Sequence, residues 1–174
     1  SAINTSKSFL QRMGLFYEDL DETKTKTELF SIKNFNLVPV TSLSSAQIIK
    51  VSFFQKPVNG LAIYYPDLSS PLNFLVEERR NEPQVVEANF FHQQPSEDFS
   101  TYPLKTAQEA FDDLKKGQGY ILTAPLNLNA SIKKVALGYY ISEKKQEYLM
   151  PIIVFEGENF QAFVSAVKDE WVNK

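Results

Sequence analysis

The stretch TYPLKTAQEAFDDLKKGQGYI, residues 101–121, decides the fold because it predicts a short helix with a single apolar face. Thr106 can cap the helix N-terminus, and Glu109 three residues later completes a capping box. Gly117 follows the last turn, where glycine commonly ends a helix. The apolar face consists of Ala107, Ala110, Phe111 and Leu114. So short a helix needs a sheet to pack against.

The residues that follow predict this sheet as three antiparallel strands. SIKKVALGYYIS (131–142) alternates between two faces, EYLMPIIVFEG (147–157) returns, and NFQAFVSAV (159–167) forms the third strand. The second strand is apolar on both faces, so we expect a cover on each side. The helix is one cover, and the first half of the chain or a partner molecule is the other. Pro151 indicates an edge, a bulge or the start of a strand.

The N-terminal half repeats this pattern less clearly. It begins with a short helix that ends at Gly14, and ELFSIKNFNLVPV (28–40) and AQIIKVSFF (46–54) predict strands. Two hairpins follow, one turning at VNG (58–60) and one at RRNEP (79–83). We therefore predict an α+β fold of two small helix-plus-antiparallel-sheet halves, interpreted as a degenerate duplication. The predicted ranges are 1–93 for the first half, 94–104 for a linker and 105–174 for the second half.

Composition excludes several classes of function. The 174 residues carry a net charge of −3 without a basic stripe, which argues against nucleic-acid binding. The absence of cysteine excludes disulfides, thiol nucleophiles and thiolate zinc sites. The longest apolar run, YLMPIIVF (148–155), is too short to span a bilayer as a helix.

Tyrosines are the best candidates for binding. The pairs Tyr64–Tyr65 and Tyr139–Tyr140 place one ring on each face of a strand. Core packing explains most such rings, but a binding surface would use the exposed ones. We select Tyr140, Tyr148 and Tyr65 as candidate binding residues.

Catalytic and metal-binding patterns are weak. His92 is the only histidine, and we expect it in an exposed loop. A hydrolase would have to combine His92 with nearby acids such as Glu97 and Asp98. The carboxylate pairs lie on predicted turns or exposed helix faces, and no metal-ligand spacing or phosphate-binding loop is present. We predict no catalytic residue, no metal and no cofactor.

The C-terminal pattern resembles a known family. It combines an amphipathic helix ending in Leu-x-x-Gly, a strand ending in Leu-Gly-Tyr-Tyr, a return strand with Leu-x-Pro-x-x-x-Phe and a short final strand. The matching residues are Leu114 and Gly117, Leu137, Gly138, Tyr139 and Tyr140, then Leu149, Pro151 and Phe155, then Ala162 to Val167. This resembles the terminal module of bacterial extracytoplasmic proteins of the YycI-like, PepSY-related type.

The resemblance implies a location and a type of function. It implies a membrane- or lipid-anchored protein whose soluble part lies outside the cytoplasmic membrane, with the anchor lying outside this sequence. It also implies a regulatory role through protein contacts, without catalysis. We therefore expect a protein partner at the cell envelope, and a homodimer is one form that such a contact could take.

Three hypotheses remain open at this point. The first is a non-enzymatic extracytoplasmic interaction domain. The second is a small-ligand or glycan-binding domain that uses a tyrosine-lined cleft between the two halves. The third is a hydrolase built on His92.

Overall fold

The computed structural model describes residues 1–79, 82–126 and 129–172. It is a mixed helix and sheet protein, mostly strand, with two five-stranded sheets. The α+β class is therefore confirmed. No helix among the described residues is long and apolar enough to cross a membrane.

The chain forms two compact units. The first contains residues 1–56 and 69–92, and the second contains residues 57–68 and 93–174. This division differs from the expected ranges in two places. Residues 57–68 belong to the second unit because β4 (Ile63–Tyr64) hydrogen-bonds to a strand there. Residues 94–104, expected as a linker, also belong to the second unit, where Leu104 forms a bridge with Val167.

The first unit packs helix α1 (Ala2–Arg12) against one face of an antiparallel sheet in the order β2-β1-β3-β5-β6. The buried core joins Leu10 of the helix to Val51, Phe53 and Phe74 of the sheet. The helix ends as expected just before Gly14, which has a φ of 68°. The strands are β1 (Lys26–Lys33), β2 (Asn36–Pro39), β3 (Ile48–Phe53), β5 (Leu72–Arg79) and β6 (Glu82–Phe90).

Three sequence predictions for the first unit can be compared with the structure. The segment 28–40 was expected as one strand, but β1 and β2 form a hairpin through Asn34 and Phe35, and neither of these residues is the glycine typical of such a turn. The turn at VNG is confirmed, with Asn59 and Gly60 both at positive φ. The hairpin of β5 and β6 is confirmed as an antiparallel pair, and residues 80 and 81 of its turn lie outside the described residues.

The second unit packs helix α2 (Ala107–Lys115) on a sheet in the order β4-β8-β9-β10-β7. The strands β7 (Tyr120–Thr123), β8 (Ile132–Tyr140), β9 (Met150–Gly157) and β10 (Phe160–Ser165) precede a short helix α3 (Asp169–Val172). The predicted antiparallel order of β8, β9 and β10 is confirmed. Strand β7 was not predicted. The strand expected at Tyr64–Tyr65, as an arm of the VNG hairpin, is present as β4, but it pairs in parallel with β8.

Strand β9 lies at the centre of this sheet and is covered on both faces, as expected. Ile153 and Phe155 pack towards α2, whereas Ile152 and Val154 pack in a separate cluster with Phe163. Pro151 is the second residue of β9, which confirms the expectation of a strand start.

Candidate functional site

The structure places the three selected tyrosines in different environments. Tyr65 is only 5% exposed and offers almost no surface to a ligand, whereas Tyr140 is half-buried and Tyr148 is 67% exposed. Gln146 connects two of them, because its Nε2 donates to the backbone oxygens of Tyr140 at 3.3 Å and of Tyr148 at 3.4 Å. Of the three, Tyr140 and Tyr148 therefore have accessible surface.

Tyr140 belongs to a larger aromatic group on the sheet face opposite α2. Phe163 of β10 is surrounded by the rings of Tyr64, Tyr120 and Tyr140, at centroid distances of 5.4, 6.2 and 6.1 Å. We call Tyr64, Tyr120, Tyr140 and Phe163 the tyrosine surface. Phe163 is buried beneath the rings, while Tyr120 is 51% exposed.

Gly138 explains how Tyr64 reaches this surface. A Cβ atom at position 138 would lie 2.6 Å from the Tyr64 ring and 3.0 Å from the backbone oxygen of Ala62. Only glycine permits this close approach of β4 to β8. The glycine of the Leu-Gly-Tyr-Tyr sequence is therefore a packing requirement for the tyrosine surface.

A polar cluster lies at one end of the tyrosine surface. The Glu156 carboxylate accepts hydrogen bonds from Lys134 Nζ at 2.8 Å, Gln161 Nε2 at 3.2 Å and Tyr64 Oη at 3.3 Å. These four residues come from four different strands, β9, β8, β10 and β4. The arrangement combines aromatic rings with a carboxylate, an amide and an ammonium group on one face of the sheet.

The ionisation of the cluster follows from these contacts. The hydrogen bond from Lys134, together with its positive charge, holds the pKa of Glu156 below its ordinary value. The same contact raises the pKa of Lys134. Burial, followed by the Glu156 charge, raises the pKa of Tyr64. Glu156 and Lys134 therefore form an ion pair at neutral pH, and Tyr64 remains a protonated donor.

Sequence reasoning missed Tyr64, Tyr120 and Phe163 as members of this surface. The signal for Tyr64 was present, because it lies in the same Tyr-Tyr pair as Tyr65 with the opposite orientation. Tyr120 gave no such signal because β7 was not predicted, and Phe163 was predicted only as a residue of the third strand. The pairing of Tyr120 with Phe163 in the sheet register brings them together.

Strand β7 is the second notable feature of this unit. It is an edge strand, and within the described part of the chain its backbone pairs with β10 only. Its sequence, Tyr-Ile-Leu-Thr, contains neither the charges nor the proline that usually protect an edge. Tyr120 and Ile121 are 51% and 53% exposed. The edge therefore offers backbone hydrogen-bonding groups between accessible apolar side chains.

In the first unit, His92 contradicts the expectation of an exposed loop residue. Its side chain is only 5% exposed, and its Nε2 lies 2.9 Å from both carboxylate oxygens of Asp19. The Tyr17 ring stacks on the imidazole at a centroid distance of 4.2 Å, and Gln55 Nε2 donates to Asp19 at 2.8 Å. This position was not predictable because Asp19 is 73 residues away in the chain.

The carboxylate at His92 is thus Asp19, whereas Glu97 and Asp98 are exposed residues of the second unit. His92 makes its hydrogen bonds to Asp19 alone within the described residues, so no hydroxyl group there is positioned for activation by the imidazole. Across residues 1–79, 82–126 and 129–172, no group of three or more histidine or acidic side chains could hold a metal ion.

Comparison with protein-family models, curated proteins and solved structures found no match to this chain.

Proposed function

We propose that this chain is a non-enzymatic, extracytoplasmic interaction domain of an anchored bacterial protein, and that it binds a protein partner at the cell envelope. The observation that carries the proposal is the edge of β7. An unprotected edge flanked by the exposed side chains of Tyr120 and Ile121 suits the addition of a further strand.

The occupant that fits this edge best is an extended, mainly apolar segment of another protein. Backbone groups of β7 would pair with the segment, and its alternate side chains would contact Tyr120 or Ile121.

The proposed location and the proposed type of module are supported by two different observations. The resemblance of the C-terminal pattern to YycI-like, PepSY-related proteins supports an extracytoplasmic site. The packing of one helix on one sheet in each unit is compatible with the PepSY-like halves and with their origin by duplication.

The test is photo-crosslinking of the full-length protein in the bacterium that encodes it. p-Benzoylphenylalanine replaces Tyr120 at the edge or, as the control, Val135, which is 44% exposed on β8, on the other side of the sheet from β7. We expect a protein adduct from position 120 only. Ile121→Lys should abolish the adduct without changing the melting temperature, because a lysine at the edge opposes strand addition. Equal adducts at both positions, or none, would contradict the proposal.

A small-ligand or glycan-binding domain is the second candidate. The tyrosine surface favours it, since half-exposed rings of Tyr120 and Tyr140 lie on the same face as the Glu156 cluster. Sugar-binding sites commonly stack aromatic rings on the sugar and form hydrogen bonds to it with such polar groups. Shifts in the NMR signals of Tyr140 and its neighbours on addition of cell-wall glycan fragments, lost in Tyr140→Ala, would support this alternative.

A further inference from the structure

The hairpin of β1 and β2 ends in an unusual turn. Lys33 and Asn36 form the last pair of the hairpin, so the turn consists of Asn34 and Phe35 alone. Both have positive φ, 49° for Asn34 and 63° for Phe35. Phe35 is also completely exposed, at 103% of its reference surface. A large aromatic residue thus occupies the left-handed region, and no packing contact with the described residues compensates for it.

The positive φ and the full exposure of Phe35 do not stabilise the folded chain. Two-residue hairpin turns with both φ values positive strongly favour glycine at the second position. The same protein has that sequence in another tight turn, where Asn59 and Gly60 have φ values of 50° and 78°. At position 35 phenylalanine replaces the favoured glycine, which adds backbone strain and exposes an apolar ring to water.

The rest of the hairpin presents this ring in a defined position. The backbone N–H of Ile32 donates to Gln47 Oε1 at 2.8 Å, and Gln47 N–H donates to the oxygen of Phe30 at 2.8 Å. The backbone oxygen of Gln47 in turn accepts from Glu78 of β5 at 3.3 Å. Gln47 therefore ties the end of the hairpin to the centre of the sheet. Ile32 and Leu37, paired next to the turn, add exposed apolar surface beside Phe35.

We propose that Phe35 is a binding anchor that inserts into an apolar pocket on a protein partner. This inference rests on the proposed function as an interaction domain and adds a second contact site, on the other unit. A single protruding aromatic ring on a convex turn matches a concave pocket, and buried aromatic anchors dominate the energetics of many interfaces. The neutral amides of Asn34 and Asn36 flank the ring and suit the polar rim of such a pocket.

A membrane surface fits this tip less well. Peripheral membrane contacts usually combine several large apolar residues with an excess of basic residues. Here Ile32 and Leu37 add apolar surface beside Phe35, but Lys33 is the only basic residue of the segment 32–37, and the chain carries a net charge of −3, so the basic excess is missing. The structure therefore favours a protein pocket over a lipid bilayer as the occupant.

The first arm of the test measures the stability of the free protein. Phe35→Gly removes strain and no packing, so we expect the melting temperature to stay unchanged or to rise by about 2–4 °C. A fall of several degrees would show that Phe35 supports the fold and would overturn the proposal. Asn34→Gly is the matched control, because it relaxes the same turn and retains the aromatic ring.

The second arm identifies what contacts the tip. p-Benzoylphenylalanine replaces Phe35 or, as the control, Phe99, which is 89% exposed and belongs to the other unit. We expect one protein adduct from position 35 in cells and not from position 99. Excess unlabelled wild-type protein should suppress the adduct, while Phe35→Gly protein should not. Adducts to lipid, adducts to a second copy of the chain, or no adduct would each overturn the proposal.

The third arm measures affinity for the cross-linked protein after purification. Phe35→Gly should weaken binding at least tenfold, and Asn34→Gly should leave it within about threefold. Equal affinity of wild type and Phe35→Gly would overturn the proposal. Adducts at Tyr120 without adducts at Phe35 would refute this inference and leave the proposed function intact, whereas failure at both positions would refute both.

Discussion

At the residue scale, Glu156 shows how a carboxylate can occupy a sheet face that is lined by aromatic rings. Its carboxylate oxygens accept hydrogen bonds from Lys134, Gln161 and Tyr64, which each belong to a different strand. Charged groups on such a face are tolerated when they are paired and hydrogen-bonded. The residue type alone did not reveal this role, because Lys134 and Tyr64 lie 22 and 92 residues from Glu156 in the sequence.

The pH dependence of stability follows from the lowered pKa of Glu156. A carboxylate whose folded pKa is below its unfolded value stabilises the fold above the unfolded value of 4.5, and this contribution disappears as the pH falls through the folded value. Glu156→Gln should therefore lower the free energy of unfolding by about 1 kcal/mol at pH 7 and by much less at about pH 3. Urea titrations at both pH values measure the difference.

The matched control for this prediction is Glu158→Gln. Glu158 pairs with Lys133 at 3.3 Å, but both side chains are largely exposed. We expect its substitution to have little effect at either pH, because exposed ion pairs contribute little. A loss in Glu156→Gln that is the same at pH 7 and pH 3 would refute the electrostatic explanation.

At the element scale, helix α2 depends on the capping box that its sequence predicts. Thr106 Oγ1 accepts from the Glu109 N–H at 3.2 Å, and Glu109 Oε2 accepts from the Thr106 N–H at 2.7 Å. These contacts also hold the pKa of Glu109 below its ordinary value. The sequence signal for this helix is local, because the residues that begin and end it lie within the helix or next to it.

Thr106→Ala should lower the free energy of unfolding by about 1 kcal/mol, because it removes the cap and leaves a helix N–H without its acceptor. Thermal or urea unfolding followed by circular dichroism measures this loss. Thr101→Ala is the control, since Thr101 is exposed and outside any helix or strand. Equal stability of the wild type and Thr106→Ala would show that tertiary packing alone maintains the helix.

Other elements were not predictable from local signals. The hairpin of β1 and β2 has Asn-Phe at its turn, where glycine is the usual second residue, and so its sequence reads as one continuous strand. Strand β7 contains four residues, too few for an alternating pattern to stand out, and β4 was expected as a hairpin arm rather than as a parallel partner of β8. Their pairing is decided by contacts with β8 and β10.

At the scale of the whole molecule, residues 57–68 leave the first unit and complete the second. The backbone N–H groups of Tyr139 and Ile141 donate to the oxygens of Ala62 at 2.9 Å and Tyr64 at 3.0 Å. The first unit is therefore discontinuous in sequence, and the second unit depends on a segment from the N-terminal half.

Hydrogen exchange can test this assignment. The amides of Tyr139 and Ile141 should exchange slowly, at rates similar to those of β10 amides that pair with β9. Tyr64→Ala removes the ring over Gly138 and should accelerate exchange at both amides at least tenfold, equivalent to about 1.4 kcal/mol. Val164 in β10 serves as the reference amide. Exchange of Tyr139 and Ile141 at unprotected rates in the wild type would contradict the pairing.

The sequence by itself determined the elements whose information is local: helix α2 with its caps, the antiparallel order of β8, β9 and β10, and the α+β class. Only the tertiary structure decided which distant side chains meet. It buried His92 against Asp19, placed Tyr64 over Gly138, and left Phe35 exposed at a turn. The physical reason is that helix caps and strand alternation act over a few residues, whereas packing and hydrogen bonding join groups without regard to their separation in the chain.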